Sequence, residues 1–199
     1  MGRAVYCMAE ESVGYKIDFD IKGFLDDDIH SLDGFNGYKP VLNTISDYEI
    51  QTDDVFVCSI GNVNTKIRIC EMLKQKGAQF YTIINQTARI HKNVSIGDGC
   101  IIGAYATIGA DAQVGENCLI QSFASVGHDC KIGNYVRMDT RSMCVGGVVV
   151  EDNVSIFTMA VCSHRVVVGK GAHVAALSFV VRKVKPGVTV IGNPAKELF

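Results

Sequence analysis

The sequence predicts a two-part chain: a small parallel α/β domain over residues 1–85, then a regular repeat with a period of six over residues 86–199. Three observations carry this. Stepping by six from Ile90 meets an apolar residue at sixteen consecutive positions, ending at Val180. The position two before each of these is small or valine, as in Ala106, Ala112, Cys118 and Ala124. Neither a 3.6-residue helix nor two-residue strand alternation produces such a period, whereas the first eighty-five residues show short strand-type runs around one helical pattern.

The N-terminal elements come in chain order. Ile17, Phe19 and Ile21 alternate and run into GFLDDD, residues 23–28, which predicts a strand. VFVCSIG, residues 55–61, and FYTII, residues 80–84, read as two further buried strands. Between them NTKIRICEMLKQKG places Ile69, Met72 and Leu73 on one helical face, with Asn64 as the expected N-cap and Gly77 as the stop. Strand, helix, strand implies a parallel sheet, whose ligands sit beyond the carboxyl ends of the strands. Asp26 and Asp27 occupy one such place, and Ser59, Gly61 and Asn62 another. The same residue types form solvated turns, which is the competing reading.

The run from 88 to 183 resembles the hexapeptide repeat family. That resemblance implies a left-handed parallel β-helix with three hexads per triangular coil, so that residues 18 apart stack at the inter-strand spacing of ~4.8 Å. On this map Cys100 stacks on Cys118 and Cys144 on Cys162, both pairs inward, where thiols fill narrow corners as small hydrophobes. The eight cysteines show no zinc-type spacing and are expected to be reduced, as in a cytoplasmic protein. The tail RKVKPGVTVIGNPAKELF carries Val184 and Val190 in another register and is expected to form a strand that caps the open end.

Composition narrows the function classes. With a formal charge of −2 and no Lys/Arg-rich run, the chain lacks the electrostatic footprint of a nucleic-acid or membrane-surface binder. No segment reaches ~18 consecutive apolar residues, and MGRAVYCMAEE lacks a signal-peptide pattern, so a cytoplasmic location is expected.

A His-Asp pair, His128 and Asp129, interrupts the apolar repeat. His128 shares its phase with Lys92, Asp98, Glu116, Asn134 and Asp152, so it faces outward, which argues against a buried structural histidine. Its column in steps of 18 reads Lys92, Ala110, His128, Gly146, His164, Arg182, with almost no side chain on either side of the imidazole.

Taken together, the α/β domain with FLDD, the uninterrupted hexads, the His-Asp pair and the closing IGNPAK resemble the bacterial nucleotide-sugar N-acetyltransferases and their relatives, the sialic acid O-acetyltransferases. The resemblance spans nearly the whole chain. It implies acetyl-CoA as donor without a metal, a homotrimer with active sites between neighbouring solenoids, and a nucleotide-sugar acceptor held by the α/β domain. It makes His128 the general base and Asp129, in place of the usual Glu, its orienting partner, with Gly146 offering a backbone N–H to the acetyl carbonyl. His164, Ala175, Ala176 and Lys196 become coenzyme candidates, the alanines allowing close approach of pantetheine. Asp26, Asp27, Gly61, Asn62 and Arg137 become acceptor candidates. Two departures stand out: Met1-Gly2-Arg3 falls where the family's first strand and Gly-rich turn would finish, so that strand is expected to be missing, and Arg137 stands where some members carry a histidine.

Two other uses of this repeat compete. A hydroxyl acceptor on a sialic acid or related sugar would use the same pair. A zinc hydratase would need three convergent histidines, and there is no HxxxxH; His128 and His164, two coils apart, are expected ~9.6 Å apart along their column. A non-catalytic trimeric scaffold is the remaining class.

Overall fold

The computed structural model describes residues 1–198. From Ile83–Ile84 to Phe179–Val180 the chain is a run of two-residue strands in three parallel sheets, each strand pairing with the one 18 residues away. Val126, for example, lies between Ile108 and Cys144. The sheets have eight, six and five strands and form the three faces of a left-handed β-helix. Both inward positions of the hexad are sealed: Ala106, Ile108, Ala124, Val126, Cys144, Cys162 and Val168 have no exposed surface. The six-residue period is therefore the core itself, one continuous cluster along the axis.

Each coil turns its corners with one residue in the left-handed backbone region. Asn93, Asp111, Asp129, Gly147 and Arg165 occupy one corner in this way, and Tyr105, Phe123, Arg141, Met159 and Leu177 another. Asn, Asp and Gly suit that conformation best among residues with short side chains, and the tight repeat holds the bulkier ones there. The end of the helix leaves the register as expected. Val190 pairs with Val174, 16 residues back rather than 18, and Thr189–Ile191 is closed by an antiparallel strand, Lys196–Glu197.

The N-terminal part differs from its expectation in four places. FYTII is not one buried strand, since Phe80 pairs with Phe56 while Ile83–Ile84 already belongs to the eight-stranded face, and Val55 of the VFVCSIG run is 47% exposed. The chain opens with a helix, α1 (Gly2–Glu10), which no pattern in the sequence announced. The alternating Ile17, Phe19 and Ile21 are not a strand: Lys16 turns with a φ of 61°, backbone bonds close Gly14 onto Ile17 and Asp18, and Ile17 is 87% exposed. The strand starts only at β1 (Phe24–Leu25), paired in parallel with β2 (Val41–Asn43). Finally, β3 (Val55–Phe56) leads into α2 (Val63–Gln75), whose N-cap is Asn62 rather than Asn64. Asn62 accepts from the Thr65 N–H at 2.9 Å, which satisfies a donor that the helix cannot. Gly77, with a φ of +91°, ends that helix, and β4 (Gln79–Phe80) pairs in parallel with β3. A cavity of about 810 Å³ separates the two parallel pairs, with β1 and β3 both on its wall.

The α/β region sits on one face of the solenoid. Val5 and Ala9 of α1 pack on Ile83, Ile101 and Leu119, whose side chains project outward from the eight-stranded face. On the exposed flank of α2, Lys74 meets Glu116 at 2.9 Å and Glu71 accepts from the Tyr135 hydroxyl at 2.8 Å.

Candidate active site

His128 and Asp129 form the corner between the six-stranded and five-stranded faces, after the strand Ser125–Val126 and before Lys131–Ile132. Val126 and Ile132 point inward and hold that corner at both ends. Asp129 adopts a φ of 58°, and this turn brings its carboxylate back beside the ring of its neighbour. Asp129 Oδ2 lies 2.7 Å from His128 Nδ1. A carboxylate only accepts, so the ring proton belongs on Nδ1 and Nε2 carries the free lone pair. Both side chains remain well exposed.

The imidazole lies across the next coil. A Cβ placed on Gly146 would meet His128 Nε2, with Cε1 at 2.6 Å and Cδ2 at 2.9 Å. Nothing larger than glycine fits beneath the ring. Among the described residues the Gly146 N–H finds no backbone acceptor, while its carbonyl takes the Arg165 N–H. His164 completes the column, its ring centroid 6.5 Å from that of His128. This is closer than the two-coil rise, and the His128 ring leans over the vacant side-chain position at Gly146. Among the described residues no three His, Cys, Asp or Glu side chains converge as a metal site.

The other candidates lie elsewhere. Asp26 is spent on the turn after β1, where its Oδ1 accepts from the Asp28 N–H at 3.1 Å, and Asp27 Oδ1 braces the Ile45 N–H at 3.3 Å. Asn62 is the helix cap. Arg137, on the outer surface of the eight-stranded face, is the candidate that reaches across to the α/β region: its Nη1 donates to the Gly61 carbonyl at 3.1 Å. Its Nε and Nη2 bind Asp139 as a fork, at 2.6 and 2.9 Å. Asp139 was not singled out in the sequence, although residues two apart on a strand share a face. Ala175 lies on the eight-stranded face near the closing strand, and Ala176 and Lys196 are exposed. The structure thus gathers His128, Asp129, Gly146 and His164 at one corner, and places Asp26, Asp27, Gly61, Asn62 and Arg137 around the α/β region on the face opposite that corner.

Residues 111–138, which include this corner, match the family pattern described as bacterial transferase hexapeptide (six repeats). The chain is a hexapeptide-repeat acyltransferase. The acyltransferase is 27% identical over 148 residues to the GDP-perosamine N-acetyltransferase of Escherichia coli O157:H7, an alignment covering 72% of this chain and 67% of that protein. Among solved structures it is similar to WeeI from Acinetobacter baumannii AYE, with a TM-score of 0.87, 26% identity and coverage of 99% and 94% of the two chains. It is also similar to PerB from Caulobacter crescentus, solved with CoA and GDP-perosamine, with a TM-score of 0.82, 25% identity and coverage of 89% and 84%. The acetyltransferase domain of PglB from Neisseria gonorrhoeae FA1090 gives a TM-score of 0.86 at 25% identity, covering 96% and 93%.

Proposed function

We propose that this acyltransferase moves an acetyl group from acetyl-CoA to an amino group on a nucleotide-linked sugar, with His128 as general base. The observation that carries this reading is the His128 ring, fixed at Nδ1 by Asp129 and presenting Nε2 over Gly146. Similarity to proteins that act on, or were solved with, GDP-perosamine supports the acceptor class.

Acetyl-CoA, when bound, supplies the acetyl group as a thioester. His128 Nε2 takes the proton that the acceptor amine loses as it attacks the thioester carbonyl. Asp129 holds the tautomer and stabilises the imidazolium that results. The unpaired Gly146 N–H, beside the same ring, donates to the oxygen that gains negative charge. The proton then passes from His128 to the departing CoA sulfur. His164, Ala175, Ala176 and Lys196 would line the coenzyme, and Asp26, Asp27, Gly61 and Asn62 the acceptor.

The opposed placement of the two groups supports an intersubunit site. A chain whose acceptor region covers one face cannot present it to the corner behind that face, so the acceptor region of a neighbouring copy is needed. A closed cyclic trimer provides that neighbour three times over.

Release of free CoA thiol from acetyl-CoA, screened with UDP- and GDP-linked amino sugars and free sialic acid, tests the reading. Thiol release dependent on an amino sugar is expected. Release only with hydroxyl acceptors would make this an O-acetyltransferase, and no acceptor-dependent release would make it a scaffold.

A further inference from the structure

The geometry points to Arg137 as a positioning residue: we propose that it sets the level of the acceptor seat at the end of β3 by tethering the Gly61 carbonyl to the solenoid. This rests on the proposed transfer reaction and adds a residue that acts on the acceptor without touching it.

Three features make the tether directional. The guanidinium fork is occupied on one side by Asp139, leaving Nη1 to reach Gly61 at 3.1 Å. Asp139 is itself immobilised: it is 6% exposed and accepts from Gln121 Nε2 at 2.8 Å, while the Gln121 carbonyl oxygen accepts from the Thr140 hydroxyl at 3.0 Å. The Phe157 ring lies 5.6 Å below the guanidinium, so the group is braced from the solenoid side as well. Charge-assisted bonds of this kind, shared among buried partners, are strong and geometrically exacting.

The anchor point matters because of its place in the chain. Gly61 immediately precedes Asn62, the cap of α2, and lies three residues beyond the buried Cys58. A Cβ there would meet Met1 Cε at 2.9 Å and Arg137 Nη1 at 3.6 Å, so the backbone is already drawn close to both. Residues 59–62 are the turn beyond the carboxyl end of β3, where a parallel sheet holds its ligand. The other polar links between α2 and the solenoid, Lys74 to Glu116, Tyr135 to Glu71 and the Cys70 thiol to Asn117 Oδ1 at 3.7 Å, come from the body of the helix, beyond its first turn. Loss of Arg137 would free the turn while leaving α2 docked. With Nε and Nη2 on Asp139 and Nη1 on Gly61, Arg137 acts on the turn through its backbone.

The test compares wild type with Arg137→Met and Arg137→Lys in the whole protein. Amide hydrogen exchange at residues 59–63 is expected to quicken about tenfold or more in Arg137→Met, with exchange in the solenoid strands unchanged. In steady-state assays KM for the sugar acceptor is expected to rise about tenfold, while KM for acetyl-CoA and kcat stay within about twofold. Arg137→Lys keeps the charge but not the fork, and is expected to fall near Arg137→Met. Unchanged exchange at residues 59–63 would overturn the tether. A quickened turn with the loss falling on kcat or on KM for acetyl-CoA would overturn its role in acceptor positioning. If wild type transfers acetyl to no acceptor, the proposed function fails, and the exchange measurement still decides whether the tether exists.

Discussion

His128 occupies the space that a side chain at residue 146 would need. A Cβ on Gly146 would come within 2.6 Å of His128 Cε1 and 2.9 Å of Cδ2, distances that no real Cβ sustains. The glycine therefore admits the imidazole at this coil of the solenoid, and its own N–H finds no backbone acceptor among the described residues.

Gly146→Ala should tilt the ring away from that position while leaving the fold intact, since the solenoid core on either side is unaffected. We expect kcat/KM to fall about 10²-fold, the order that a misplaced reacting group costs. Steady-state kinetics beside a thermal melt would check it; full activity in the variant would show that the ring position is not exacting.

Asp129→Asn keeps a short side chain in the left-handed turn, where Asn is tolerated. It removes the charge opposite Nδ1. The loss of rate should be about tenfold, smaller than for removal of the imidazole. An equal loss would mean that the carboxylate has a role beyond orientation.

The Tyr135 hydroxyl donates to Glu71 across the α2 flank. Burial first, and then this hydrogen bond to a carboxylate, push its pKa well above the usual 10.0. A group held protonated in the folded state contributes stability that is complete below its unfolded pKa and is lost as pH rises towards the raised one. Wild type should lose melting temperature above about pH 10 more steeply than Tyr135→Phe, which lacks the titrating group. Parallel curves would contradict the link.

Met138 is fully buried on the inward column, and Met143 is 42% exposed. Met138→Ala should cost about 2–5 kcal/mol in urea unfolding, and Met143→Ala less than about 0.5 kcal/mol. Similar costs would contradict the column assignment.

The solenoid was legible because its period is enforced by burial: every sixth side chain must be apolar, and every second one before it small, or a coil cannot close. That clock also fixed the outward phase of His128, and so the corner on which it stands. The N-terminal region was less legible. Its strands are two or three residues long, too short for alternation to mark their ends, and Ile17, Phe19 and Ile21 alternate through a turn instead. Asn62 and Asn64 are equivalent as cap residues by type, and only the Thr65 N–H distinguishes them. Side-chain lean was beyond the column map, which places His128 and His164 by coil rise alone, whereas the His128 ring leans over Gly146 and the two ring centroids stand 6.5 Å apart. Arg137 was named through the resemblance alone, and its fork to Asp139 and bond to the Gly61 carbonyl depend on side-chain reach that the hexad phase does not encode.

The measurement that bears most directly on His128 is acceptor-dependent CoA thiol release by wild type and His128→Ala across a range of pH. The variant should be slower by about 10²–10⁴-fold at every pH tested. Near-wild-type turnover by His128→Ala would contradict its assignment as the base.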